Sequence, residues 1–273
     1  MTDSPTVRLK LRSQPESLTL VRGALTGIGE TLSFDPELLD DMKTAISEAC
    51  NNVVLHAYPD GPGELSVVVR IGQDRVEATV RDRGTGIHGA AGADDRMGVG
   101  LALISALTDR AEFVSEPDKG TEVQMTFKGQ IGRVLDGGAA QSAADAHGPP
   151  PKLDGDVVVT VWPPALLAGV LGRLARGLAA VAGFSVDRFS DLYLVVDTLD
   201  SHARASASSP RLGFAASATE RRLELAIGPF QSGSLARLRS NGDGLVVLAD
   251  ELSVERTNES EILRVVVCDQ RSR

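Results

Sequence analysis

Aromatic side chains are scarce in this sequence: Phe, Tyr and Trp together make up 4% of its 273 residues, which leaves few platforms on which the bases of a single strand could stack. A surplus of positive charge is missing as well. Lys and Arg number 28 against 37 Asp and Glu, for a formal net charge of -9, so there is no electrostatic footprint for a phosphate backbone. Both absences argue against direct nucleic-acid binding. The two cysteines, Cys50 and Cys268, lie far apart and fit neither a disulfide framework nor a zinc spacing, which agrees with a reducing compartment. No apolar stretch approaches the roughly 20 residues that span a bilayer. The stretch Met1-Thr2-Asp3-Ser4-Pro5 lacks the basic and apolar regions of a secretion signal. The expectation is a cytoplasmic protein with no membrane association.

At roughly 100 to 200 residues per domain the length points to two domains. Their boundary is marked by composition. Gly129 to Pro151, with Gly137-Gly138-Ala139-Ala140 and Gly148-Pro149-Pro150-Pro151, has almost no apolar periodicity, and so long a loop inside a compact domain is uncommon. We read residues 5–128 as a first domain, 129–152 as a linker and 153–270 as a second domain.

In the first half Val7, Leu9 and Leu11 alternate with polar residues as in a strand. Leu18, Val21, Leu25 and Ile28 mark a helix. Asp35 and Pro36 open a second helix, whose apolar stripe through Met42, Ile46, Ala49 and Val53 runs to about Tyr58. Glu64–Ile71 and Arg75–Arg81 read as a strand pair, Gly98–Leu107 as a helix, and Ala111–Ser115 with Glu122–Phe127 as a closing hairpin around Pro117-Asp118-Lys119-Gly120. That order predicts an α+β two-layer sandwich rather than a doubly wound sheet. The second half repeats it about 150 positions later: a strand at Val157-Val158-Val159, helices from Ala165 and from Ser185, strand signals at Leu223–Ile227 and Leu263–Val267, and Gly242-Asp243-Gly244 before a helix from Val246 to Leu252. We infer a duplication.

Four short elements carry chemistry. On the second helix, Glu48 and Asn52 are four residues apart and share a face. A carboxylate beside a carboxamide suits polarising a hydroxyl and ligating a hard cation such as Mg²⁺. Asn51 takes the place of Asn52 if the helix is rotated, and a solvated polar face is the plain alternative. Asp82-Arg83-Gly84-Thr85-Gly86 follows a strand; its Asp can accept a hydrogen bond from an exocyclic amine, and its glycines let backbone approach a ligand. Gly98-Val99-Gly100 stands ahead of a helix, where free amides cradle phosphate. Lys119-Gly120-Thr121 puts a hydroxyl in the last hairpin.

In this order the four elements resemble the GHKL, or Bergerat-fold, ATPases. The run from Ile46 to Tyr58, Ile-Ser-Glu-Ala-Cys-Asn-Asn-Val-Val-Leu-His-Ala-Tyr, is similar to the N-box of bacterial anti-sigma-factor serine kinases. The resemblance covers about the first 128 residues. It implies ATP and Mg²⁺ as cofactors, with Glu48 as the general base, Asn52 as the Mg²⁺ ligand, Asp82 as the reader of the adenine amine, Gly84 and Gly86 packing the base, Gly98 and Gly100 holding the triphosphate, and Thr121 completing the adenine pocket. It implies a serine/threonine-protein kinase acting in transcription regulation, with a sigma factor and a STAS-type antagonist bearing the target serine as partners. The alternative is a nucleotide-dependent binding module that transfers no phosphate. The loop from His88 to Arg96 is short for an ATP lid, and His56, one turn beyond Asn52, is a candidate supporting residue. In the second half Thr198, His202 and Pro229 stand where Glu48, Asn52 and Asp82 do. A slip of one residue would bring Asp197 to the position of Glu48 at the expense of the apolar stripe. The second domain is therefore expected to bind no ATP; an intramolecular pseudo-dimer, with this copy as a built-in partner, and a homodimer are the two assemblies left open.

Overall fold

The computed structural model describes residues 4–86, 95–117, 119–132, 152–236, 245–256 and 260–269. The chain divides into two units, Ser4–Leu135 and Asp136–Arg273.

In the first unit β1 (Thr6–Arg12) buries Val7, Leu9 and Leu11 and exposes the residues between them. Next comes α1 (Pro15–Leu32), entered through a proline in its first turn, with Leu20, Val21, Leu25 and Ile28 turned inward. Leu18 is only half-buried, so Leu20 takes the inward place expected of it. Asp35 caps α2 (Pro36–Asn52) by accepting from the Glu37 N–H at 2.9 Å, which satisfies one of the free donors of the first turn. Beyond Asn52 the chain continues as a single π turn, Val53–Ala57, that ends at Tyr58. The strands β2 (Glu64–Ile71) and β3 (Arg75–Asp82) form a hairpin; α3 (Asp95–Leu107), β4 (Arg110–Glu116) and β5 (Gly120–Lys128) complete the unit. The sheet order is β4-β5-β3-β2-β1, antiparallel throughout. Its inward residues, Val67, Val69, Val76, Ala78 and Met125 among them, are buried, as are Met42, Ile46 and Ala49 of α2, which packs on β3 and β5.

The second unit runs β6 (Val157–Trp162), α4 (Leu167–Val181), α5 (Val186–Ser206), β7 (Leu212–Thr219), β8 (Arg222–Gln231), α6 (Leu245–Leu248), β9 (Glu251–Arg256) and β10 (Ser260–Cys268). Its sheet order, β6-β7-β8-β10-β9, is again antiparallel. Strand for strand this is the topology of the first unit, so the α+β two-layer fold occurs twice.

Four details differ from the sequence reading. Two strands, β7 and β9, went unseen, and the helix expected over Val246–Leu252 is confined to Leu245–Leu248 because Glu251 and Leu252 begin β9. The third helix starts at Asp95, so Gly98 and Gly100 fall inside it rather than ahead of it. Residues 129–132, read as the start of the linker, are tied to the first unit by a bridge between Phe34 and Ile131 and by the Gly132 N–H to the Ser33 carbonyl at 3.1 Å. Finally, Pro164–Val181 is long and apolar enough to cross a membrane by length and composition, and 50% of it is buried inside the protein. It escaped notice because Arg173 and Arg176 interrupt it; Val170, Leu171, Leu174 and Ala175 pack wholly inside the unit, as a core helix does.

Candidate nucleotide site

The helix α2 and the sheet of the first unit enclose a cavity. Ala49, Asn52, Val53, His56 and Ala57 form one wall; Val80, Asp82, Gly86, Leu101, Thr121 and Val123 form the rest. The wall from α2 keeps helical spacing through the π turn, so one face of a single element presents both the carboxamide of Asn52 and the imidazole of His56. Glu48, one turn before Asn52, lies against Gly100 of α3, where a Cβ would overlap its carboxylate.

Asp82 ends β3, and its side chain is directed inward, leaving the residue 2% exposed. One carboxylate oxygen accepts from the Gly84 N–H at 2.8 Å, and the Thr121 N–H also donates to the carboxylate. Burial pushes this carboxyl above its ordinary value, and the two N–H donors partly offset the push. Among the described residues the cavity wall holds no Lys or Arg to neutralise Asp82. A buried carboxylate that is hydrogen-bonded but not ion-paired is costly, and an exocyclic amine is a partner that fits it. The apolar patches of Ala49, Val53, Val80, Leu101 and Val123 suit the faces of a planar base.

The glycines do different work from that expected. A Cβ on Gly84 would overlap the carbonyl of Ala57, and the same carbonyl accepts from the Thr85 N–H at 3.0 Å. Gly86 has φ of 73° and no room beside the Glu116 carbonyl. Both are needed for the turn to pack against the protein's own backbone, although Gly86 also lines the cavity. Thr121 touches Asp82 through its N–H, while its hydroxyl lies 3.1 Å from that of Ser115. Gly98 and Gly100 contribute helical backbone from within α3. The lid residues 87–94 lie outside the described residues, as does the side chain of Arg96.

Sequence reasoning passed over Tyr58, whose hydroxyl donates to the Glu64 carbonyl at 2.7 Å and accepts from the Arg83 N–H at 2.8 Å. It also passed over Gly120, whose φ of 89° and lack of a side chain admit the Asp82 carbonyl. The sequence marks both only weakly, as a tyrosine at a helix end and a glycine in a hairpin turn.

The wall fits the group implied by the resemblance. It offers an amine acceptor in Asp82 and an oxygen donor in Asn52 of the kind Mg²⁺ takes when phosphates supply most of its shell, with Glu48 one turn away against Gly100. Among the described residues no cluster of three His, Cys, Asp or Glu is placed to hold a metal unaided. A wider hollow on the outward face of the same sheet, lined by Arg8, Arg70, Arg81, Glu77 and Glu122 among others, is remote from Glu48 and Asn52. Its Arg81–Glu122 pair, 3.1 Å apart, is solvated surface charge.

In the second unit the corresponding positions carry different groups. Counting along each strand, Pro229 follows Ile227 as Asp82 follows Val80, and Glu261 precedes Leu263 as Thr121 precedes Val123, but a bulge between these pairs sets Glu261 opposite Phe230 rather than Pro229. Phe230 and Leu235 are buried there, and His202 meets Phe230 edge to face at 4.8 Å. Burial alone would raise the Glu261 carboxyl, but the N–H groups of Gly233 and Leu235 and the Arg256 guanidinium at 3.2 Å outweigh it and hold the carboxyl below its ordinary value. Thr198 spends its hydroxyl on the Leu194 carbonyl at 2.9 Å. Gly242 and Gly244 lie outside the described residues.

Known proteins resemble part of this chain. Residues 11–127 match the histidine kinase-like ATPase domain. The chain is 31% identical over 134 residues to the serine-protein kinase RsbW of Bacillus cereus strain Q1, an alignment covering 44% of this chain and 82% of the relative. The RsbW of Bacillus mycoides strain KBAB4 gives the same figures of 31%, 44% and 82%. Among solved structures, the RsbU and RsbW domains of Rv1364c from Mycobacterium tuberculosis align at 24% identity with a TM-score of 0.39, covering 48% of this chain and 35% of that one.

Proposed function

The chain belongs to the histidine kinase-like ATPase family, and from that membership we propose that its first unit binds Mg-ATP and transfers phosphate to a serine of a protein partner. The observation that carries the proposal is Asp82, a buried carboxylate without an ion pair among the described residues, lining a cavity that Asn52 also lines, with Glu48 one helical turn before Asn52. Mg-ATP would supply the phosphoryl group. The remaining work falls to the chain: Asp82 and the Thr121 segment hold the adenine, Asn52 orients the metal, and Glu48 takes the proton from the attacking hydroxyl. Phosphoryl transfer depends chiefly on positioning and charge neutralisation, for which these groups are sufficient.

The partners proposed are a sigma factor and a STAS-type antagonist carrying the serine, by analogy with anti-sigma-factor serine kinases; the setting would be cytoplasmic. Residues 153–270 are proposed to be a degenerate copy that takes no nucleotide, a reading supported by Pro229 standing at the position of Asp82 and by the burial of Phe230, Leu235 and Glu261 beside it in the chain or across the strand pair.

The test is calorimetric titration of Mg-ATP into the full chain, followed by phosphate transfer to a STAS-type antagonist, for the parent and for Glu48→Ala. The kinase reading expects one site per chain in both proteins and transfer in the parent alone. Binding without transfer in the parent would leave a nucleotide-dependent binding module; no binding would end the proposal.

A further inference from the structure

Tyr58 sits where two structural runs meet. It is the first residue beyond the π turn that closes the helix carrying Glu48 and Asn52, and its hydroxyl lies between the ends of β2 and β3. The antiparallel register of that hairpin pairs Leu65 with Asp82, so the next pair outward would be Glu64 with Arg83. There the ladder is interrupted. The Tyr58 hydroxyl donates to the Glu64 carbonyl at 2.7 Å and accepts from the Arg83 N–H at 2.8 Å, one atom inserted between the two groups. The ring reaches this place because Gly63 has no side chain; a Cβ there would overlap the ring.

The inserted hydroxyl holds the strand ends apart and steers Arg83–Thr85 toward the helix, where Gly84 fits under the Ala57 carbonyl and the Thr85 N–H donates to it at 3.0 Å. The Gly84 N–H is then the one that donates to Asp82 at 2.8 Å. Without the hydroxyl, Arg83 and Glu64 either close on each other, drawing Gly84 off the helix end, or take a water between them at this exposed edge, which holds the Arg83–Thr85 turn less firmly. Either course moves the donor that aims the Asp82 carboxylate.

We propose that Tyr58 is a positioning residue for base recognition: by splitting the last rung of the β2–β3 ladder it sets the direction in which Asp82 presents its carboxylate to the exocyclic amine. The proposal rests on the nucleotide reading of the cavity given above.

The experiment compares Mg-ATP with the Mg complex of purine riboside 5′-triphosphate, which lacks only the 6-amino group, by calorimetry on the full chain. The parent is expected to prefer ATP by about tenfold or more, the scale of a hydrogen bond to a charged group. Tyr58→Phe, which removes one oxygen, is expected to bring that ratio to within about threefold while affinity for the amine-free analogue changes little. Gly63→Ala displaces the ring with the hydroxyl intact and is expected to erode the ratio likewise. A structural weakening would lower both affinities together, so a Tyr58→Phe protein that retains the parent's ratio overturns the proposal. A parent that binds neither nucleotide, or does not distinguish them, overturns instead the reading of the cavity on which the proposal stands.

Discussion

Glu48 and Gly100 touch across the contact between α2 and α3, with the ideal Cβ position of Gly100 lying 3.3 Å from the carboxyl carbon of Glu48 and closer still to one of its oxygens. The group that would clash is the far end of a flexible side chain, so Gly100→Ala should displace the carboxylate rather than the backbone. Alanine is also favoured over glycine inside a helix by about 1 kcal/mol. The expected result is a protein at least as stable as the parent, with ATP affinity within a few-fold and phosphate transfer reduced by about tenfold or more, since a misplaced general base forfeits most of its contribution. Thermal melting and single-turnover transfer on the same preparation would check this; undiminished transfer would show that Glu48 is not the base.

Asp82 sets stability against binding. Its carboxyl titrates above the ordinary value because burial disfavours the charge. For an acid shifted upward the folded state holds its proton more tightly than the unfolded state. Stability is thus greatest below the ordinary carboxylate value and falls as pH rises through the folded one. ATP affinity should run the other way, dropping on acidification as the acceptor is protonated. Asp82→Asn should therefore stabilise the first unit while weakening Mg-ATP binding by roughly 10- to 150-fold. Denaturant titration and calorimetry across the acid range test both signs, and parallel changes in the two would contradict the role given to Asp82.

In the second unit Arg188 joins three segments: it donates to the Cys268 carbonyl and to Asp191, both at 2.8 Å, and to Asp250 at 2.5 Å. Only 17% of its side chain is exposed, so the contacts are shielded more than a surface pair would be. Arg188→Ala should cost about 2 kcal/mol, read as an earlier denaturation midpoint, with Mg-ATP binding unchanged. A variant as stable as the parent would show that the clip is decorative.

The second unit should also be the more acid-sensitive of the two at one carboxyl. Glu261 titrates below its ordinary value of 4.5: burial alone would raise it, but the N–H groups of Gly233 and Leu235 and the Arg256 charge prevail. A downward-shifted acid lends stability that is present above the unfolded value and disappears as pH falls through the folded one. Glu261→Gln should lower stability at neutral pH and flatten the acid limb of the denaturation curve. An acid limb unchanged by the substitution would discount this carboxyl.

Much of the fold was legible because its signals are local. Val7, Leu9 and Leu11 alternate, and Asp35 and Pro36 open a helix that the structure caps through Asp35. The strand β7 hid because Leu212 to Ala216 are all buried, which erases the two-residue period and leaves a run of small apolar residues. The strand β9 hid for the opposite reason: it is short and exposed, and its leading residues complete an apolar pattern that reads as helix. At the site, Glu48, Asn52 and Asp82 stand out as residue types in order along the chain. Tyr58 acts through backbone groups 6 and 25 residues away, and no spacing along the chain announces such a contact. The glycines were legible as glycines, but what they must admit, the carbonyls of Ala57, Glu116 and Asp82, belongs to the folded chain.

A chain that carries one topology twice risks exchanging strands between the copies while it folds. The divergence at Glu261 works against that error. Were β10 to take the place of β5, the Glu261 carboxylate would enter the cavity beside Asp82, leaving behind the two N–H donors and the guanidinium that stabilise it. Two buried carboxylates without those partners would repel and cost several kcal/mol. In the reverse exchange Thr121 would face Arg256 with no charge to offer it. Each strand thus carries a mark that the wrong neighbourhood rejects, so the difference between the two copies at this rung also guards the pairing of each.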